Sequence, residues 1–407
     1  MLLVIACAAA AVWAAVLLLP WQPHLTRERL EPAPEPADLG DMAVLIPARN
    51  EARTLSPVLR ALRHQGPGLE VWVVDDESTD GTGDLCERLA AELASVGAPE
   101  PLHASPLAAR DAAKVRGGKA DAERLAYALR IELLRGAALP AGWAGKLWAL
   151  QQAYERIERR YILLLDADIE LAPLMAPALL ERAKSRGAAL VSVMATLHCG
   201  HFWERLLVPA FVFFFKLLYP FALVESGRRA GAAGGCMLVE REALRTAGGF
   251  AALRGALIDD CTLAAKLKRR GYRLSLSMSG SAFSLREYAG LAEFWSMVSR
   301  TAFTQLGYSA ALLLATCIVM LAVFFGPPAA LVLGPWRLAA GIGLVGFVLM
   351  CLAYRPVVRF YRLPTVWTAT LPIAAALFLG MTLTSALNYW RGTRATWKER
   401  SYGASID

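Results

Sequence analysis

Tyr161–Glu170 reads Tyr-Ile-Leu-Leu-Leu-Asp-Ala-Asp-Ile-Glu. An unbroken apolar run of this length predicts a strand buried on both faces, as in a parallel sheet. The strand delivers Asp166 and Asp168 to its carboxyl end, where ligands bind in open α/β sheets. Residues i and i+2 of a strand point the same way, so the two carboxylates are expected to converge on one hard cation, and such a cation grips phosphates. A solvated strand end with two turn-forming aspartates is the competing reading of the triplet alone.

The surrounding composition narrows the class. The chain has 407 residues, 56% of them hydrophobic and only 19% charged, and its mean hydropathy is positive. Those values point to membrane segments. The net charge of +8 carries no basic block interleaved with aromatics, so nucleic acid is not the expected partner. Arg residues beside apolar runs fit a cytoplasmic membrane face. The seven cysteines are scattered without a Cys-x-x-Cys, which indicates neither a zinc site nor a disulfide framework.

Leu2–Leu19 is apolar and followed by Arg27 and Arg29, which predicts an uncleaved anchor over 1–26 with the following chain in the cytoplasm. Residues 27–40 contain the stiff linker Glu31–Asp38. Met42–Ile46 and Leu69–Val74 are expected strands around a helix from Ser56 to His64, a parallel crossover unit. Further helices are expected over Gly83–Ser95, Ala120–Leu134, Lys146–Arg159, Pro173–Ser185 and Asp260–Arg270. Strands are expected over Ala188–Met194 and Tyr272–Met278, and Ala232–Val239 is expected as a Gly-rich turn into a strand. Val208–Val224 is apolar but contains Lys216 and Pro220, and is read as interfacial or buried rather than crossing. Residues 288–305 form an amphipathic segment suited to the membrane surface. Residues 306–390 hold the carboxyl-terminal transmembrane helices, the first of which Gly326-Pro327-Pro328 is expected to end. Residues 391–407 are a basic tail.

The expected strand ends carry the chemistry. Pro47-Ala48-Arg49-Asn50-Glu51 follows the first strand, and Asp75-Asp76-Glu77-Ser78-Thr79-Asp80-Gly81-Thr82 follows the second. Both lie at the same sheet edge as Asp166 and Asp168. A carboxylate there can accept hydrogen bonds from a base N–H or a ribose hydroxyl. Asp80-Gly81 alone reads as a turn before a helix. Lys146, at a helix start beside Gly142 and Gly145, suits an anionic group. Asp259 and Asp260 precede another helix; one carboxylate can take a proton while the other caps. His198 and His201 flank Cys199-Gly200 and are read as structural.

These ordered motifs resemble the inverting family 2 glycosyltransferases, over roughly Asp41–Tyr272. The resemblance implies an α/β GT-A fold with a mostly parallel sheet over 41–287, plus amino- and carboxyl-terminal transmembrane helices. It implies a nucleotide-sugar donor and a divalent metal, Mg²⁺ or Mn²⁺. By the same resemblance, Pro47, Ala48, Asn50, Glu51, Asp75 and Asp76 hold the base and ribose, with Asp76 reading the base. Asp166 and Asp168 hold ribose and metal, Asp168 being the more direct ligand. Lys146 lies by the donor phosphates. Asp260 matches the general base, and Asp259 stands where the family usually has Glu. Gly234, Gly235 and Cys236 match the segment on the acceptor side. The Gln-x-x-Arg-Trp motif of processive members is absent; the stretch reads Arg300-Thr301-Ala302-Phe303-Thr304-Gln305-Leu306, which implies a single transfer.

Trp143–Ala149, Phe202–Phe211, Ala233–Val239 and Arg300–Ser309 are similar to the hopene-associated branch of that family, which implies a lipid acceptor in hopanoid synthesis. The expectation is a multi-pass protein of the inner membrane with a cytoplasmic catalytic domain. Transfer to a polyprenyl phosphate carrier and sugar-nucleotide binding without catalysis remain open alternatives. Trp397-Lys398-Glu399-Arg400-Ser401-Tyr402 is similar to a tail motif of lipid-glycosylating relatives, from which Glu399 departs.

Overall fold

The computed structural model describes residues 1–95, 126–334, 337–392, 396–397 and 400–401. It divides into two units. One comprises Glu28–Leu197, Val224–Arg286 and the end of the chain; the other comprises Met1–Arg27, His198–Leu223 and Glu287–Arg394.

The first unit is built on an eight-stranded sheet. Its strands are β1 Met42–Ala48, β2 Glu70–Asp75, β3 Arg130–Arg135, β4 Tyr161–Leu165, β5 Ile169–Leu171, β6 Ala188–Thr196, β7 Cys236–Glu240 and β8 Arg273–Ser284. Their spatial order is β3-β2-β1-β4-β7-β6-β8-β5. Pairs β1·β2, β1·β4, β2·β3 and β6·β8 are parallel, whereas β4·β7, β6·β7 and β5·β8 are antiparallel. Every residue of β1, β4 and β6 is buried, as a sheet covered on both faces requires, the polar Ser192 and Thr196 of β6 included. β1, β2 and β4 run the same way, so the loops after them open at one edge.

Three expectations change here. Arg130–Arg135 is the strand β3, not the end of a helix over Ala120–Leu134; the rest of that expected helix lies mostly outside the described residues. Leu-Leu between Arg and Glu fits either period, and pairing with β2 decides it. The Tyr161–Glu170 strand is broken into β4 and β5 by a turn in which Ile169 N–H donates to the Asp166 carbonyl, 2.9 Å. β8 runs to Ser284, well past Met278.

The second unit is helical. Among the described residues, four apolar segments of the chain are long enough to cross a membrane: Phe202–Glu225, whose last two residues fall in the first unit, Ala310–Leu333, Arg337–Phe360 and Thr365–Trp390. Leu2–Leu18 has 17 residues, which is short of the others. The expected break at Gly326-Pro327-Pro328 does not occur. A π-helical turn over Leu321–Phe325 widens the coil just before the prolines, which then sit in the first turn of the helix Gly326–Leu333, where no N–H is missed. Trp13 Nε1 donates to the Val323 carbonyl within that turn, 2.9 Å. Val208–Val224, expected to be interfacial or buried, belongs to the first long apolar segment, more than half of which is buried. Lys216 is buried there with Nζ 3.8 Å from the Phe221 ring centroid. In the helix Leu291–Ser299, Phe294 is buried and Trp295 donates to Thr384 Oγ1, 3.2 Å, so these aromatics are engaged within the unit. The tail motif at Lys398, Glu399 and Tyr402 lies outside the described residues.

Candidate active site

Lys146 is the centre of the site. It is the second residue of the helix Gly145–Tyr154, which follows the turn at Gly142. Its ammonium lies 2.7 Å from Asp166 Oδ1 and 3.9 Å from Asp259 Oδ2. Burial by itself lowers a lysine pKa, but the charges of Asp166, Asp259 and Asp260 reverse that and raise it, so Lys146 is a fixed cation. Asp166 comes from the end of β4, and Asp259 and Asp260 from the first turn of the helix Asp259–Arg269. The expected residues Lys146, Asp166, Asp259 and Asp260 are thus gathered around one charge.

Burial, and next the neighbouring Asp259, push the Asp260 carboxyl up to about 7. Its Oδ1 accepts the Cys261 N–H at 2.6 Å, and Lys146 opposes the rise. The group is a carboxyl poised to exchange a proton near neutral pH. Gly234 lies against it: a Cβ there would stand 3.1 Å from Asp260 Oδ2 and 3.4 Å from its Cβ. A Cβ on Gly235 would meet Ile169 at 3.3 Å. We expect Gly234→Ala to displace Asp260 and cut turnover by about tenfold while donor affinity stays. Unchanged turnover in single-turnover assays would show that Asp260 tolerates the methyl. Cys236, expected on the acceptor side, is wholly buried in β7, and burial raises its thiol to about 12.

Asp166 and Asp168 do not converge as strand neighbours, because the strand stops at Leu165 and the pair occupies a turn. Asp166 turns to Lys146. Asp168 Oδ2 accepts a hydrogen bond from Ser284 Oγ, 2.9 Å. Burial raises both carboxyls. Among the described residues no three His, Cys, Asp or Glu side chains gather as metal ligands. The donor set nonetheless suits a hard divalent cation of the kind held by one or two carboxylates, with water and substrate phosphates completing its shell.

The first two loops are tied together. Asn50 N–H donates to Ser78 Oγ (2.9 Å), Thr79 N–H to Asn50 Oδ1 (2.9 Å), Glu51 N–H to Thr82 Oγ1 (2.9 Å) and Ala52 N–H to Asp80 Oδ2 (3.0 Å). Asn50 and Glu77 both adopt φ of 53°, which is uncommon for residues with a side chain and is held by this web. Asp80 is therefore more than a turn residue. Asp75 Oδ1 accepts the Ser78 N–H at 3.1 Å, and Asp76 is fully buried with Arg49 3.9 Å away. Arg49 also donates to the Asp76 and Glu77 carbonyls. Pro47 and Ala48 are buried at the end of β1, and Ala48 accepts the Asp76 N–H at 2.8 Å. Glu51 is close enough for its charge to raise Asp168, which links this loop to the Asp166–Asp168 turn.

In the second unit, His198 Nδ1 lies 2.8 Å from Glu204 Oε2, and that buried carboxylate also accepts the Gly200, His201 and Tyr288 N–H groups. His198 and His201 belong to this turn. Sequence reasoning missed Ser284 and Glu204. For Ser284 the signal was present: Leu274-Ser-Leu-Ser-Met-Ser279 alternates with period two and carries the strand on toward Ser284.

The profile described as Glycosyl transferase family 21 matches residues 128–401, and that described as Glycosyl transferase family 2 matches residues 43–97. Among curated proteins, the chain is similar to the 4,4'-diaponeurosporenoate glycosyltransferase of Staphylococcus haemolyticus (strain JCSC1435). The two are 36% identical over 55 residues, 14% of this chain and 15% of that protein's length. Among solved structures, it is similar to the mannosyltransferase PcManGT from Pyrobaculum calidifontis, in complex with GDP-Man and Mn²⁺. The TM-score is 0.53 at 20% identity, covering 93% of this chain and 99% of that one. That likeness shows the GT-A fold. The likeness to S. aureus TarS is weaker, with a TM-score of 0.38 at 13% identity, covering 86% of this chain and 55% of that one.

Proposed function

The chain belongs to glycosyl transferase family 21 and is a glycosyltransferase, and from that premise we propose a single, inverting transfer from a nucleotide-sugar to a membrane lipid. The observation that carries the reading is the Lys146 cluster: one fixed cation joining the Asp166–Asp168 turn to the Asp259–Asp260 pair. The proposed division of labour follows. Pro47, Ala48, Asn50, Glu51, Asp75 and Asp76 form the base and ribose end. Lys146 faces the diphosphate. Asp260 takes the proton of the acceptor hydroxyl as that oxygen bonds to the anomeric carbon and the bond to the diphosphate breaks. Asp259 balances Lys146 at the helix start, and Gly234 and Gly235 leave room for the acceptor.

Asp168, with Asp166 beside it, would hold a divalent cation, Mg²⁺ or Mn²⁺. When bound, that ion supplies positive charge to the leaving diphosphate. The four long apolar helices support a membrane lipid as acceptor. The resemblance to the hopene-associated branch favours a hopanoid, with the protein in the inner membrane and its catalytic unit in the cytoplasm. The test is to compare lipid extracts from cells with and without the protein. A glycosylated hopanoid present only with the protein is the expected result; a glycosylated polyprenyl phosphate would replace the acceptor, and no glycolipid difference would defeat the lipid reading.

The protonation state of Asp260 sets the pH dependence. The base acts only when deprotonated, and burial and Asp259 push its carboxyl up to about 7. Turnover is therefore expected to be level above about 7 and to fall about tenfold per pH unit well below it. A pH–rate profile of kcat, with donor saturating, measures this. A limb in the ordinary carboxylate range would remove the role from Asp260.

A further inference from the structure

We propose that Ser284 is a positioning residue for Asp168, orienting its carboxylate for the divalent cation; this rests on the reading of Asp168 as a ligand. The end of β8 holds Asp168 twice. Leu285 N–H donates to the Asp168 carbonyl at 2.7 Å, and Ser284 Oγ donates to Asp168 Oδ2 at 2.9 Å. The hydroxyl is itself oriented, because the Arg286 N–H donates to Ser284 Oγ at 3.3 Å and leaves the single hydroxyl hydrogen for the carboxylate. Ser284 pairs with Ile169 across β5·β8 and is buried, so this contact is set by sheet register rather than by a mobile loop.

The arrangement has a consequence for Asp168. The Ser284 hydroxyl holds the carboxylate through Oδ2 and so fixes the plane of the group, and with it the direction in which its remaining lone pairs meet a cation. A turn such as Asp166–Asp168 gives its side chains no pleated face to fix their direction, and Ser284 supplies what the broken strand does not. Partners that orient ligands in this way typically set metal affinity by about 10- to 100-fold. Removing the hydroxyl leaves the Leu285 main-chain bond in place, so the turn itself is retained.

The test uses the full chain in detergent or nanodiscs and Mn²⁺ alone as the probe, with free Mn²⁺ read by electron paramagnetic resonance. Ser284→Ala, and the near-isosteric Ser284→Cys, are expected to weaken Mn²⁺ binding by about tenfold or more with thermal unfolding unchanged, and Ser284→Thr to restore it. Asp168→Ala is run alongside. If Asp168→Ala abolishes binding and Ser284→Ala and Ser284→Cys bind as the unaltered protein does, Ser284 has no such role. If Asp168→Ala itself binds Mn²⁺ normally, the ligand reading fails, and the inference fails with it.

Discussion

Asp260→Asn is expected to bind donor as the unaltered protein does and to lose turnover by a hundredfold or more. The substitution keeps the shape of the side chain. Its Oδ1 can still accept the Cys261 N–H that orients Asp260 at 2.6 Å. It also keeps the contact with Gly234, so the acceptor side is not reshaped. What it removes is the ability to take a proton, together with one negative charge beside Asp259 and Lys146. Burial and Asp259 push the Asp260 carboxyl up to about 7, which is where a base is strong enough to accept a proton and still about half ionised at neutral pH. An amide has neither property. Donor affinity by equilibrium titration and turnover at saturating donor separate the two effects. Turnover within a few fold of the unaltered protein would mean that another group, or water, takes the acceptor's proton.

Much of this site was legible before the fold was known, and the reason is physical. Parallel strands buried on both faces are long apolar runs, and they stop where polar residues begin; Arg49, Asp75 and Asp166 mark those stops. Because such strands share one direction, residues far apart in sequence are carried to one edge, and Asp75, Asp166 and the loops after them follow. The orientation of side chains after the stop was not legible. Asp166 and Asp168 were expected to share a pleated face, and a turn between β4 and β5 gives them different partners, Lys146 and Ser284. The end of the expected Ala120–Leu134 helix is the strand Arg130–Arg135 instead, because Arg-Ile-Glu-Leu-Leu-Arg mixes charged and apolar residues in a way that fits two periods and pairing with β2 selects the strand. In the helical unit, Gly326-Pro327-Pro328 looked like a stop. A π turn is a tertiary remedy, tied down by Trp13 from more than three hundred residues away, and nothing local announces it.

Lys146→Met is expected to weaken donor binding by about tenfold or more and, separately, to move the acid limb of the pH–rate profile upward. The first effect follows from the loss of a fixed positive charge where the diphosphate is proposed to lie. The second follows from the pairing seen here. Lys146 stands 2.7 Å from Asp166 and 3.9 Å from Asp259, and its charge lowers Asp260 against the rise caused by burial and by Asp259. Methionine fills a similar volume without charge, so three carboxyls are left facing one another. Asp166 and Asp260, both of which the cation lowers, then favour their protonated forms more strongly. The sign is fixed: with the cation gone, Asp260 holds its proton to higher pH, and turnover at pH 7 falls although the base itself is intact. Raising the pH should recover part of it. Lys146→Arg keeps the charge and should leave the limb near 7, although its larger fork need not fit between Asp166 and Asp259. A Lys146→Met profile whose limb coincides with that of the unaltered protein would show that Lys146 serves the donor alone and has no hold on the base.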